Sequence, residues 1–325
     1  TLFLMASSPV VVVGSIMQDL SIACAEFPVA GQTLLGRLSS GQGGKGSNQA
    51  IACGRTGVNT TFVGAMGSDS YAKQVESFYR REGIGCRIAL KRGVATGTAI
   101  ILLNRRGQNM IVIEPGANMR LTPSDIPEAL LRRARVVVTQ LEANLAATAH
   151  ALRTARRVGA IALLNPAPMR DDFNVRLLRH VDILVPNESE FVALVRQLPG
   201  IHLRKFSEKK LHQLRPAALH ALCRRFGVPT LIITLGSKGC FISLPDGHHT
   251  IPAYTGIRVV DTTGAGDAFC GGLAAGLIRH KGDVIAASRL GTAVAALSIA
   301  KPGAASAMPT RVELARFLRK RGLVS

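Results

Sequence analysis

The sequence predicts an α/β fold of three layers: a mostly parallel central sheet with helices on both faces, plus a small β-sheet lid. Short β-branched runs that end in turn residues alternate with amphipathic stretches of helical period along most of the 325 residues. Two segments break that alternation with strand-like runs that no crossover helix follows. No apolar run reaches the ~18 residues that a membrane span needs.

Val10-Val11-Val12-Val13 followed by Gly14-Ser15 reads as a buried parallel strand and its turn, and the same signal recurs at 61–64, 136–139, 160–164, 183–185 and 231–234. Helix-like stretches at 46–55, 71–82, 145–158 and 215–226 alternate with these strands. In such sheets ligands sit beyond the carboxyl ends of the strands. The interrupting segments lie at about 20–40 and 96–115. The second contains a hairpin, with strands at 98–103 and 110–113 joined by Asn104-Arg105-Arg106-Gly107. Both are assigned to a small antiparallel sheet projecting as a lid over a strand-end site. Residues 199–215, rich in Lys, Arg and His and weakly patterned, read as a surface excursion.

The formal charge of +20 raises a nucleic-acid partner. The basic residues, however, fall in short clusters on helix-like stretches (Arg80-Arg81, Arg132-Arg133, Arg156-Arg157, Arg224-Arg225, Arg319-Lys320-Arg321), and few aromatics interleave with them. A solvated basic face is therefore favoured over a base-stacking surface. The six cysteines form no C-x-x-C pair, which argues against zinc and against a disulfide framework, and they read as reduced thiols of a cytoplasmic protein. Residues 1–8 are apolar but lack a basic n-region, so they do not read as a secretory signal, and those ahead of Met5 read as an addition to the natural chain.

The strongest chemical signal is Asp261-Thr262-Thr263-Gly264-Ala265-Gly266-Asp267, running into the apolar helix Ala268-Phe269-Cys270-Gly271-Gly272-Leu273-Ala274. Gly264, Ala265 and Gly266 leave backbone N–H groups pointing outward at a helix start, an anion hole, and Asp267 supplies a carboxylate that can take a proton. An Asp-capped helix after a glycine turn is the plainer reading of the same residues. The second signal is Gly41-Gln42-Gly43-Gly44-Lys45-Gly46-Ser47-Asn48-Gln49-Ala50. It lacks the P-loop spacing, because Gly46 separates Lys45 from Ser47. Its glycines permit close backbone approach to a polyol, and Asn48 can donate and accept toward hydroxyls.

Together the two segments resemble, in order and place, the two signatures of the ribokinase branch of the phosphofructokinase-B-type carbohydrate kinases. Gln140-Leu141-Glu142, Leu164-Asn165-Pro166-Ala167-Pro168, Pro186-Asn187-Glu188-Ser189-Glu190 and Ile233-Thr234-Leu235-Gly236-Ser237-Lys238-Gly239 are similar to segments of that branch as well. The resemblance implies one kinase domain over 10–310, with terminal segments at 1–9 and 311–325. It implies ATP-dependent phosphorylation of a sugar hydroxyl, O5 of D-ribose, with Asp267 as general base beside the Gly264–Asp267 anion hole. The sugar would be held by Asp19, Gly44, Lys45, Gly46, Ser47, Asn48 and Glu142. Asn187 and Glu190 would organise Mg²⁺ and phosphates through water. Thr234, Leu235, Gly236, Ser237, Lys238 and Gly239, with Gly266, would line the nucleotide, and Thr292 would lie near the adenine. An activating K⁺ would sit at Asp261, Thr263, Ser298, Lys301, Gly303 and Ser306, partly on backbone carbonyls, and two copies would pair through their lids.

Two positions depart from the family pattern. Ala307 stands where the family has its last cation-binding Ser, with Ser306 one position earlier. Met17 stands where the family has Asn against a sugar hydroxyl, and a thioether cannot replace that hydrogen bond. The loss is expected to narrow the preference for ribose over 2-deoxyribose, and Met17→Asn to restore it. The same resemblance admits 2-deoxyribose, fructose or a nucleoside as substrate. From other classes, a basic nucleic-acid-binding protein on a kinase-like fold and a sugar sensor without catalysis remain, and the intact Asp267 speaks against the sensor.

Overall fold

The computed structural model describes residues 2–3, 9–106 and 108–323. Apart from the backbone of Leu2–Phe3, the expectation for the residues ahead of Met5 lies outside these, as does Gly107 of the hairpin turn. In chain order the strands are β1 (Leu2–Phe3), β2 (Val10–Val13), β3 (Met17–Ala23), β4 (Arg37–Gly43), β5 (Thr60–Gly67), β6 (Gly85–Lys91), β7 (Thr98–Leu103), β8 (Asn109–Glu114), β9 (Val136–Thr139), β10 (Ile161–Leu164), β11 (Ile183–Leu184), β12 (Thr230–Thr234), β13 (Cys240–Leu244) and β14 (Gly247–Ile251). The helices are α1 (Lys45–Arg55), α2 (Ala72–Arg81), α3 (Glu128–Leu131), α4 (Leu145–Arg157), α5 (Glu188–Arg196), α6 (Glu208–Gln213), α7 (Pro216–Arg224), α8 (Ala265–Arg279), α9 (Val284–Ser298) and α10 (Arg311–Lys320).

The main sheet has the order β1-β6-β5-β2-β9-β10-β11-β12-β13-β14. Its strands from β6 to β12 are parallel, and β1, β13 and β14 extend the edges with antiparallel pairing. The valines of β2 show why three layers form. Successive strand side chains face opposite ways, so Val10 and Val12 join a core with α1, α8 and α9, while Val11 and Val13 join another with α4 and α5. Both faces must be covered, and the run is accordingly apolar at every position.

The second sheet has the order β4-β3-β7-β8 and begins earlier than expected, at Met17. It is mixed rather than antiparallel, because β3 and β7 pair in parallel. The reason lies in the main sheet: β2 and β6 run in the same direction, so each delivers the chain to the same edge, and β3 and β7 leave it side by side. Residues 24–36 connect β3 to β4 without strand structure.

The stretch 199–215 is more than a surface excursion. It contains a 3-10 turn and α6, and it buries Phe206 and Leu211 against the core beside α5. Two apolar anchors among many basic residues gave too weak a period to read. At the other end, α10 lies beyond position 310 but buries Leu314 and Leu318 in the main core. Among the described residues no helix is long and apolar enough to cross a membrane.

Candidate active site

The parallel strands deliver polar residues to one crevice beyond their carboxyl ends: Ser15 after β2, Gln140 and Glu142 after β9, Asn165 after β10, Asn187 after β11, and Thr234 at the end of β12. The N-termini of α1 and α8 enter the same crevice, and the lid supplies Asp19 from β3.

Asp267 sits in the first turn of α8 and is buried. Its Oδ2 accepts from Asn48 Nδ2 and its Oδ1 from Gln49 Nε2, both at 3.0 Å. The Gln49 amide also donates to Asn165 Oδ1 at 3.0 Å and accepts from Gln140 Nε2 at 2.6 Å. The carboxylate is thus fixed in orientation while each oxygen keeps a second acceptor position. Ahead of it, Gly264 adopts a left-handed φ of 75°, a turn that a side chain would strain. The N–H groups of Gly264, Gly266 and Asp267 find no acceptor among the described residues, whereas Ala265 N–H closes the turn on the Thr262 carbonyl at 3.2 Å. The expected anion hole and the expected base therefore lie side by side.

Glu142 Oε2 accepts from Ser15 Oγ at 2.6 Å and from the Lys45 N–H at 2.9 Å, tying β2 to the start of α1. Its Oε1 makes no hydrogen bond to the described residues. Burial pushes the Glu142 carboxyl above its usual range, against the pull of the Lys45 ammonium. For Lys45 itself burial works against the charge, but Asp267, Glu142 and Glu190 together hold its pKa above the ordinary value. A buried cation in the field of three carboxylates is a ready counter-charge for an arriving phosphoryl group.

The Asp19 carboxylate has no hydrogen-bonding partner among the described residues, and its pKa is raised to about 7, by burial and then by Glu142 and Asp267. Its carboxylate lies across β4 at Gly43, where a Cβ would fall 2.0 Å from Asp19 Oδ1. Glycine at position 43 is what leaves room for it.

A pocket of about 150 Å³ opens between these elements, bounded by Lys45, Asn187, Glu190, Thr234 and the Gly264–Asp267 turn. Asn187 and Glu190 form a reciprocal cap on α5: the Asn187 side chain accepts from Glu190 N–H and Glu190 Oε2 from Asn187 N–H, each at 2.8 Å. Glu190 Oε1 is left for other partners. Of the residues expected along the nucleotide, Thr234 and Gly266 reach the pocket wall. Leu235, Gly236, Ser237, Lys238 and Gly239 form the tight turn into β13, closed by a 2.8 Å bond from Leu235 N–H to the Gly239 carbonyl. Thr292 is buried in α9, its hydroxyl bonded to the Ser288 carbonyl at 2.9 Å, and it does not border this pocket.

The expected cation residues fall on two adjoining stretches, the loop before α8 and the end of α9 with the loop that follows it. Asp261 joins them, accepting from Thr263 N–H at 2.9 Å and Gly303 N–H at 2.8 Å. Ser298 and Ser306 donate to the carbonyls of Ala295 and Pro302, which leaves their lone pairs as acceptors. Lys301 extends its ammonium to Glu313 at 2.5 Å, so only its backbone is available. Ala307 is fully buried.

Met17, expected to stand in place of a sugar-contacting amide, lies in the apolar interior of the lid. Only 1% exposed, it packs with Ala99 and Ile101 as the apolar anchor of the lid. Ser15, Gln49, Gln140 and Asn165, which hold Glu142 and Asp267, were missed as site residues. Asn165 carried a usable signal, a polar residue directly after a buried strand.

The chain matches the family described as pfkB family carbohydrate kinase over residues 7–311. It is 34% identical to a ribokinase of Haemophilus influenzae over 311 residues, covering 94% of this chain and 97% of that one. It is 31% identical to a deoxyribokinase of Salmonella typhi over 313 residues, covering 95% and 98%. The Arabidopsis thaliana ribokinase solved with ribose and ATP superposes with a TM-score of 0.82 at 28% identity, covering 96% of this chain and 99% of that one. With the fold, the anion hole and this extent of likeness in agreement, the chain belongs to the pfkB family of carbohydrate kinases, in its ribokinase branch.

Proposed function

We propose that the chain transfers the γ-phosphoryl group of ATP to O5 of D-ribose. The observation that carries this reading is the Asp267 carboxylate standing beside unpaired N–H groups at the start of α8, with the half-buried Asp19 and the buried Glu142 as further acceptors in the same crevice. Asp19, the free Oε1 of Glu142 and the Gly44–Asn48 backbone and side chains receive the sugar hydroxyls. Asp267 takes the O5 proton as the new P–O bond forms and the bond to the ADP oxygen breaks. The N–H groups of Gly264, Gly266 and Asp267 and the Lys45 ammonium face the charge on the transferring group.

The donor set also suits Mg²⁺ carried in by the nucleotide. Glu190 Oε1 and ordered water match an ion that dehydrates reluctantly, and no cluster of three or more His, Cys, Asp or Glu among the described residues would hold a bare metal. When bound, the ion neutralises phosphate charge. The neutral oxygens of Ser298 and Ser306, with backbone carbonyls beside Asp261, suit a monovalent cation such as K⁺ that sets the anion-hole loop. An ADP-release assay across pentoses, hexoses and nucleosides, run in K⁺ and then in Na⁺, tests both parts. Highest kcat/KM for ribose and faster turnover in K⁺ are expected. A preference for 2-deoxyribose, fructose or a nucleoside would reassign the substrate, and equal rates in both salts would remove the cation site.

The raised pKa of Asp19 has a direction that kinetics can read. Below about 7 the carboxyl holds its proton, and above it both oxygens accept. Since kcat/KM reports groups of the free enzyme, kcat/KM for sugar is expected to fall as pH drops through 7, and Asp19→Asn to flatten that acid limb. An unchanged limb in the variant would place the titration elsewhere.

Because Met17 anchors the lid, Met17→Asn buries an unpaired amide among Ala99 and Ile101. KM for ribose and 2-deoxyribose is expected to rise together, by several-fold. A gain confined to ribose would restore the hydrogen-bonding role.

The register of the lid places Leu20, Ile22, Leu38, Ile100, Leu102, Met110 and Val112 on its other face. Leu38 and Val112 are 64% and 71% exposed. A face this apolar is suited to burial against the lid of a second copy. Sedimentation at twice the chain mass, reverting to the monomer in Val112→Glu, is the expected result.

A further inference from the structure

Behind the far end of α8 lies a second cavity, of about 950 Å³, within the range that small-molecule sites occupy. Twelve residues separate its Arg279 from Asp267, roughly 18 Å at ~1.5 Å rise per residue, so it is remote from the site above. Three guanidinium side chains border it: Arg279 from the last turn of α8, Arg289 from α9 and Arg311 from the first turn of α10. None has an ion-pair partner among the described residues. The Arg279 side chain donates to the Thr56 carbonyl, whereas the side chains of Arg289 and Arg311 make no hydrogen bond among the described residues.

Among the described residues no carboxylate borders the cavity. The nearest along the chain are already committed, Asp283 to capping α9 and Glu313 to Thr310 and Lys301. Partial burial, and then the neighbouring charge of Arg311, lower the pKa of Arg279, as like charges facing one another require. Leu290, Leu314 and Leu318 give the rest of the wall an apolar part, with Tyr254 and the imidazole of His280 beside it. Three cations converging on a concave, half-apolar space form an incomplete charge arrangement that an anion of matching size would complete.

We propose that this cavity is a second binding site, for a small phosphate-bearing molecule whose phosphates meet Arg279, Arg289 and Arg311 and whose less polar part lies against Tyr254 and the leucines. Guanidinium forks suit phosphate oxygens because they bond them in pairs. The concavity and apolar wall favour a small ligand over a nucleic-acid strand, which an open basic stripe would serve better.

The three tyrosines of the chain give a direct test. Tyr254 borders the cavity, Tyr71 donates to the Gly41 carbonyl near the lid, and Tyr79 is fully buried on Ser47. In protein labelled with 3-fluorotyrosine, pyrophosphate at constant ionic strength is expected to shift the ¹⁹F resonance of Tyr254 saturably at sub-millimolar concentration. Arg289→Gln with Arg311→Gln removes two guanidiniums that make no hydrogen bonds within the fold. The pair is expected to weaken binding by about 10-fold or more, as lost charge-assisted contacts should, with the Tyr79 resonance unmoved as a check on folding. Any one of four results would overturn the proposal: movement of Tyr71 alone, an equal Tyr254 shift with chloride, an unchanged affinity in the double variant, or a response to a single-stranded oligonucleotide but not to pyrophosphate.

Discussion

Asp267→Asn is expected to lower kcat by roughly 10²–10⁴-fold, the loss typical of a positioned base, while leaving the fold intact. Structural retention follows from the local hydrogen bonds. Asp267 accepts from both Asn48 and Gln49, so an amide at position 267 would turn one acceptor into a donor facing a donor. Asn48 Oδ1, however, is buried without a partner. Rotating the Asn48 amide would present that oxygen to the new Nδ2, so the mismatch resolves without moving the backbone. Thermal melting is therefore expected to change little, and nucleotide binding to persist because the N–H groups of Gly264 and Gly266 are untouched. Turnover near wild type, with KM unchanged, would remove Asp267 as the base.

How much of this was legible in advance depended on the range of the interaction involved. Val10–Val13 declares itself because every residue of a strand buried on both faces must be apolar, and β9 and β10 follow the same rule. β6 was missed because Arg87 and Lys91 break its run, and β14 because an edge strand such as Gly247–Ile251 keeps polar residues toward solvent. The parallel pairing of β3 with β7 depends on where the main sheet releases the chain, which no local pattern records. At the site, the glycine turn at Gly264 and the carboxylate of Asp267 could be read because they lie within four consecutive residues. The amide chain Gln140–Gln49–Asp267 could not, since its members stand 91 and 218 positions apart and meet only after the sheet forms. The packing of Met17 with Ala99 and Ile101 across the lid likewise depends on strand pairing and is not visible from its neighbours in sequence.

Glu142→Gln is expected to produce the other large effect, and on KM rather than on kcat. One oxygen of Glu142 is engaged by Ser15 and the Lys45 N–H, and the other has no partner among the described residues. In the glutamine variant the amide oxygen can keep the two internal bonds, since both come from donors and ask only for an acceptor. The amide nitrogen then takes the place of the free Oε1, so a group that accepts from a sugar hydroxyl becomes one that donates. A hydrogen bond to a charged group is worth about 1.5–3 kcal/mol, so KM for the sugar should rise roughly 10- to 150-fold. Lys45 loses one of the three carboxylates that support its charge but keeps Asp267 and Glu190. The phosphoryl-facing side of the site is therefore expected to change less, and kcat at saturating sugar to stay within several-fold of wild type. Glu142→Ala separates positioning from recognition: it also strands the Ser15 hydroxyl and the Lys45 N–H, so it should lower thermal stability where Glu142→Gln does not. Equal KM in wild type and Glu142→Gln would place the sugar away from Glu142 and leave that residue as a brace between β2 and α1.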